Sequence, residues 1–225
     1  MSGTSSAPVL EARELGFTYS VKLAPVISGF THAFMPGTLT TLTGESGCGK
    51  STLLYVLAGM LKPSSGEVRA QGGPFSALSD AQRSSIRAAR VGFVFQDAML
   101  DPARTVIDNV CESAVFTGMN RKTAKKRGLE LLERFGVANR HDHRPGEISG
   151  GQAQRVALCR ALLTGPTLIF ADEPTGNLDP ASAQVVWEAL RGQARDGCCV
   201  VVATHSPQLA EDGDERIQLA VQGAR

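Results

Sequence analysis

The sequence predicts an α/β fold built on a mostly parallel sheet, and three observations carry that reading. A glycine-rich loop, GESGCGKST at residues 44–52, stands between a β-prone stretch and a helical pattern, the strand-loop-helix order in which a loop can wrap phosphate. Two later stretches, residues 167–171 and 198–203, are continuous apolar runs rather than alternating ones, as suits central parallel strands covered on both faces. An amphipathic helical pattern over residues 180–195 separates those two runs.

Taken in order, the polar start through Pro8 reads as a short disordered tail. β-Prone stretches follow at residues 9–15 and 39–43, then the glycine loop, then a helix over residues 51–61 closed by Lys62 and Pro63. A strand is expected at residues 66–70, followed by a loop rich in Gly and Pro, a helix with Ser79 as its N-cap, and a strand over residues 91–95. Residues 97–163 contain no convincing strand, while periodic runs at 123–135 and 152–163 predict helices. This stretch is expected to form a helical lobe inserted within one domain spanning residues 1–225. Trp187, on the helix at 180–195, is read as packing.

With 225 residues the chain can bury a substantial core. A net charge of +1, from 23 basic and 22 acidic residues, supplies no long-range field for nucleic acid or anionic lipid, so no nucleic-acid partner is expected. No apolar run approaches the roughly 20 residues needed to cross a bilayer, and the start lacks the basic-then-apolar order of a signal peptide. The chain is therefore expected to be soluble and cytoplasmic, with no direct membrane insertion. Its cysteines, Cys48, Cys111, Cys159, Cys198 and Cys199, show no metal-ligand spacing. They read as reduced, mostly buried small hydrophobes.

In the glycine loop, Gly44, Gly47 and Gly49 permit backbone angles that side chains forbid, so successive N–H groups can turn inward around phosphate oxygens. All nine positions, Gly44, Glu45, Ser46, Gly47, Cys48, Gly49, Lys50, Ser51 and Thr52, are candidate ligand contacts. Lys50 adds a point charge for the terminal phosphates, and the Ser51 hydroxyl suits Mg²⁺.

The stretch LIFADE, residues 168–173, carries four apolar residues and then two acids. A buried strand ending in Asp172 delivers a carboxylate beside the glycine loop, where it needs a cation to balance it. Glu173 points the other way, within reach of a water in line with a terminal phosphate, which suits a general base or water-orienting residue. A second anion site is expected at ISGGQ, residues 148–152. Ser149 caps the helix that follows, and the N–H groups of Gly150 and Gly151, with Gln152 behind them, sit at the positive end of its dipole.

GESGCGKST, VFQ at 94–96, ISGGQ, LIFADEPTGNLD and ATH at 203–205 occur in the order and approximate spacing of ABC-type ATPase domains, which the chain resembles over nearly its whole length. That resemblance implies a P-loop core with a mostly parallel sheet, an N-terminal antiparallel β region and an inserted helical lobe. It also implies ATP and Mg²⁺ as cofactors and a second ATPase subunit as partner. Two copies would face head to tail, so that Ser149 and Gly151 of one contact the γ-phosphate held by the loop of the other. Gln96 matches the glutamine that approaches Mg²⁺ and the attacking water, and His205 matches the histidine that hydrogen-bonds the γ-phosphate. Asp179 matches the loop acid that communicates across the dimer. Tyr19 lies where the family keeps an aromatic that stacks on adenine, although Phe17 and Tyr19 also alternate on one strand face, which leaves a core role open. Ile148 and Ser206 depart from the family's commoner leucine and acid.

Within the family, DEPTGNLD and residues 79–96 resemble the ATPases of lipoprotein-release, macrolide and antimicrobial-peptide export, and cell-division-associated complexes. The stretch at 97–110, DAMLDPARTVIDNV, is similar also to oligopeptide-uptake ATPases. The resemblance implies an integral membrane permease as partner, with the chain peripheral on the inner face of the membrane. The helical lobe and the segment after Gln96 are expected to form the permease-contacting groove, with residues 98–105 as its centre, because a loop tied at one end to Gln96 can convert γ-phosphate occupancy into movement at a distance. Two roles remain open: energy coupling of transport, or nucleotide-gated regulation of a membrane partner without transport. Tandem domains, a long coiled-coil insert or a basic face, which soluble relatives acting on ribosomes or DNA would need, are absent from the sequence, and no appended regulatory domain is expected after His205.

Overall fold

A computed structural model describes residues 7–220. The tail expected through Pro8 lies, for residues 1–6, outside the described residues.

β1 (Leu10–Phe17) pairs antiparallel with β2 (Ile27–Phe34). β3 (Leu39–Thr43) enters the glycine loop, α1 (Lys50–Leu57) leaves it, and β4 (Ser65–Ala70) returns to pair antiparallel with β1. α2 (Asp80–Arg90) opens on the capping box of Ser79 and Gln82 and leads into β5 (Val91–Val94). α3 (Val106–Thr117), α4 (Arg121–Arg134) and α5 (Gly150–Leu162) then follow without an intervening strand among the described residues. β6 (Leu168–Asp172), α6 (Pro180–Arg195), β7 (Cys199–Ala203), α7 (Pro207–Glu211) and β8 (Glu215–Gln218) complete the order.

The strands make two sheets: an antiparallel one ordered β2-β1-β4, and a parallel one ordered β5-β6-β7-β3-β8. The parallel sheet has an apolar layer on each face. Along β6, Leu168 and Phe170 join one cluster with Leu53, Leu54 and Leu57 of α1 and the antiparallel sheet, whereas Ile169 and Ala171 join another with α3 to α6. β7 splits the same way, with Val201 in the first cluster and Val200 and Val202 in the second. Both faces need apolar residues, so these strands read as unbroken apolar runs.

Three local differences from expectation have physical causes. α1 ends at Leu57 rather than residue 61 because Gly59 takes a left-handed φ of 68°. Any side chain at Gly59 would put its Cβ 2.5 Å from the Phe75 ring. β1 ends at Phe17, so Tyr19 lies beyond it and is 61% exposed, which overturns the core reading of that residue. α3 was not anticipated; it begins at a Thr105 cap whose hydroxyl accepts from the Asp108 N–H. Among the described residues no helix is long and apolar enough to cross a membrane.

Candidate functional site

Parallel strands aim their carboxyl ends the same way, and the candidate residues gather there. β3 ends in the glycine loop, β5 runs through Phe95 to Gln96, β6 ends in Asp172 with Glu173 next, and β7 leads through Thr204 to His205.

The loop's glycines are required by its path. Gly44, Gly47 and Gly49 have φ of 144°, 80° and 96°, conformations that L side chains resist. A Cβ on Gly44 would stand 2.4 Å from the Leu219 carbonyl oxygen, and one on Gly49 would stand 2.8 Å from Val26 Cγ1. Within this turn the Lys50 side chain is buried, its Nζ donating to the carbonyls of Gly44 at 2.9 Å and Glu45 at 3.1 Å. Cys48 is buried against it, whereas Glu45, Ser46 and Gly47 are exposed. Loop and ammonium together form a cationic cradle at the start of α1.

Asp172 is 6% exposed and is held through both oxygens: Ser51 Oγ donates to Oδ1 at 2.9 Å, and the Tyr55 hydroxyl donates to Oδ2 at 3.2 Å. Burial and then the Asp172 charge push the Tyr55 hydroxyl above its ordinary pKa. A carboxylate and an alcohol are hard oxygen donors, and Mg²⁺ is typically bound by one or two carboxylates completed by phosphate and water oxygens. The residues present therefore fit Mg²⁺ beside a bound nucleotide, and among the described residues no cluster of three or more His, Cys, Asp or Glu offers a denser cage.

Glu173 departs sharply from its neighbour. Its φ is 45°, an unusual value for a residue with a side chain, and its N–H donates to the Ala203 carbonyl. Oε2 accepts the His205 backbone N–H at 3.1 Å. Oε1 is buried without a hydrogen-bond partner, with His205 Nε2 3.3 Å away. Burial pushes the Glu173 carboxyl above the ordinary glutamate value, opposed by the His205 N–H, the His205 ring and Lys50. A base held partly desolvated at a strand mouth is suited to taking a proton from water.

One open cavity of about 650 Å³ is lined by Tyr19, Val26, Ser46, Gly47, Gly49, Lys50, Ser51, Thr52, Gln96, Glu173, Gly176 and His205, and Asp172 lies behind that lining, hydrogen-bonded to Ser51. Tyr19 is oriented by an edge-on contact with Phe17, 4.9 Å between ring centroids, and its hydroxyl lies 3.0 Å from Thr52 Oγ1. Tyr55, Val26 and Gly176 were not anticipated. Tyr55 had a legible signal, since it stands four residues after Ser51 and hence on the same helix face.

The second motif lies apart from this cavity. Ser149 caps α5 in a reciprocal box with Gln152, with Ser149 Oγ accepting from the Gln152 N–H and Gln152 Oε1 accepting from the Ser149 N–H. Gly151 faces the start of α6, where a Cβ would meet Ser182 Oγ at 2.4 Å and Asp179 Oδ2 at 3.6 Å. Asp179 caps α6, and hydrogen bonds from Ser182 hold its carboxyl below the usual aspartate value. The structure thus brings Ser149, Gly150, Gly151, Gln152 and Asp179 together on one exposed edge, and the glycine loop, Gln96, Asp172, Glu173 and His205 together on another.

The sequence model of the ABC transporter family matches residues 27–176. The lipoprotein-releasing system ATP-binding protein LolD 1 of Rhodospirillum rubrum is 42% identical over 204 residues, covering 90% of each chain. LolD of Myxococcus xanthus is 42% identical over 200 residues, covering 88% of this chain and 89% of its own. Among solved structures, the dimeric post-hydrolysis state of the ATP-binding cassette MJ0796 with ADP and Pi superposes at a TM-score of 0.86, with 31% identity over 93% of this chain and 94% of that one. The cbiO1 protein of Clostridium perfringens gives 0.83 at 28% identity, over 95% of this chain and 85% of its own.

Proposed function

From the premise that this chain belongs to the ABC transporter family as an ATP-binding, ATP-hydrolysing domain, we propose that it powers a membrane permease that extracts or exports a lipid-linked polypeptide. It works as one domain over residues 1–225, peripheral on the inner face of the membrane, with residues 97–163 as a helical subdomain. The lipoprotein-releasing relatives, similar over nine-tenths of the chain, favour this branch over peptide uptake.

Two copies would enclose two ATP molecules, each between the loop of one and the Ser149–Gln152 segment of the other. The separation of the two motifs onto different edges supports this arrangement, as does the open space around Gly150. Tyr19 stacks on the base, the glycine-loop N–H groups and Lys50 hold the phosphates, and Ser51, Asp172 and Gln96 would hold Mg²⁺, which neutralises charge on the β- and γ-phosphates. Glu173 takes the proton of the attacking water. Gln96 and His205 fix that water and the γ-phosphate, and Asp179 relays the partner's position to Gly151.

The observation carrying this reading is the Glu173 carboxylate, with one oxygen pinned by the His205 N–H and the other buried without a partner at the cavity mouth. Glu173→Gln is expected to bind ATP, trap a dimer and lose turnover by orders of magnitude, about 10³-fold or more for a lost general base in a positioned site. Turnover at the wild-type rate would remove Glu173 from the mechanism. Trapped with Mg-ATP in its native membrane, the same variant should bring down a permease of few spans with a large external domain. Recovery of a many-span pair with a soluble binding protein would mean uptake and refute the branch.

The permease contact is placed on residues 98–105. Met99 is 66% exposed, and the loop is tied to α5, since Arg160 donates to the Ala98 and Met99 carbonyls at 2.8 and 2.7 Å. Aspartate at Met99 and Leu100 should abolish stimulation by the permease and leave nucleotide affinity intact; lost ATP binding would show the assignment to be wrong.

A further inference from the structure

Resting on the reading of Asp172 as the cation-side acid, we propose that Tyr55 is a positioning residue for that carboxylate and so sets how tightly the chain holds a divalent cation beside ATP. Ser51 and Tyr55 stand one turn apart on one face of α1, and their hydroxyls donate to different oxygens of the same buried carboxylate. Held through one oxygen, a carboxylate can still swing about its Cβ–Cγ bond; held through both, its plane is set. Tyr55 is not among the residues lining the phosphate cavity, whereas Ser51 is, so the route of Tyr55 to the ligand runs through Asp172 and its bond with Ser51.

The hydroxyl is itself fixed by its ring. Tyr55 packs tilted on Phe93 with centroids 5.7 Å apart, and Phe93 packs on Phe95 at 4.3 Å and on Phe170 at 6.1 Å. Phe170 precedes Asp172 by two residues on β6, and Phe95 directly precedes Gln96. One aromatic cluster therefore spans the ends of the two strands that present Asp172 and Gln96, and Tyr55 is the member through which α1 joins it. Groups that orient a ligand from behind can matter to metal affinity almost as much as the ligand does.

Tyr55→Phe keeps the ring and removes the hydroxyl. With ATP bound, Mn²⁺ affinity read by electron paramagnetic resonance is expected to fall by about tenfold, and the Mg²⁺ concentration for half-maximal ATPase activity should rise in parallel. Binding of a fluorescent ATP analogue in EDTA should be unchanged. In an Asp172→Asn background, Tyr55→Phe should add nothing further, because the carboxylate through which it acts is gone. The proposal is overturned if Tyr55→Phe, melting like the wild-type chain, holds Mn²⁺ equally tightly, or if metal-free nucleotide binding falls as well, which would give the hydroxyl a role in loop folding. Asp172→Asn separates this from the reading beneath it. If that variant holds Mn²⁺ with ATP undiminished, the assignment of Asp172 itself fails; if it loses the cation while Tyr55→Phe does not, only the positioning role fails.

Discussion

Glu173 combines three features that each oppose folding: a left-handed backbone, a buried carboxylate and an oxygen without a partner. Such local strain persists only where the surroundings impose it, here through the Ala203 carbonyl and the His205 N–H. Its raised pKa means that, between the ordinary glutamate value and the raised one, the folded chain binds the proton more tightly than the unfolded chain. Stability is therefore favoured at low pH and declines as pH rises through that window. Glu173→Gln should accordingly raise the melting temperature at neutral pH, with the gain vanishing below the ordinary glutamate value. In the wild type, the acid limb of the ATPase profile should lie above that of an unperturbed glutamate. Gly44 makes the opposite test. Gly44→Ala forces a Cβ against the Leu219 carbonyl at a φ of 144°, and urea unfolding should show a loss of roughly 1–3 kcal/mol. The identities of these residues were legible in the sequence because chemistry restricts them. The backbone of Glu173 was not, since only its surroundings hold it there.

At the scale of elements, α5 does more than present Ser149 and its glycines. Gln154 Nε2 donates to the Phe95 carbonyl at 2.8 Å, and Arg160 holds the carbonyls of Ala98 and Met99. The helix that starts at the second anion motif thus grips both sides of Gln96. Buried Asn109 completes the loop, accepting the Asp101 N–H and donating to the Asp101 and Thr105 carbonyls. Asn109→Ala should destabilise the chain by about 2 kcal/mol through unpaired buried groups, whereas Arg160→Ala should spare the ATPase rate of the isolated chain and reduce its stimulation by the permease. Elements with a strong period were legible, among them α4, α5 and α6. β2 was not, because Gly29 interrupts it and half of its residues are exposed. β8 is a four-residue edge with alternating exposure and two charges. α3 is not legible as a period, although Thr105 and Asp108 mark its start, because its buried face takes in Asn109 while Val115 and Phe116 are exposed.

Across the whole molecule, the parallel sheet was legible from the continuous apolar runs of β6 and β7, whose two-sided burial the structure displays. Strand order was not, because pairing between distant segments leaves no local trace in composition. The arrangement of motifs on two edges makes dimer formation depend on both. Glu173→Gln should sediment as a dimer with Mg-ATP, and adding Ser149→Arg should return it to monomer while nucleotide still binds. A dimer that survives Ser149→Arg would remove the α5 terminus from the interface.

The position of β3 has a consequence for biosynthesis. It lies between β7 and β8, pairing from Leu39 with Val200 and from Thr40 with Glu215, so both of its neighbours are made long after it. During translation the strand that feeds the glycine loop waits with both edges open while some 150 intervening residues are made. Gly44 rests against Leu219, so the loop acquires its final support only after β7 and β8 have been made. A chain halted before β7 displays the nucleotide motif without the strands that shape it.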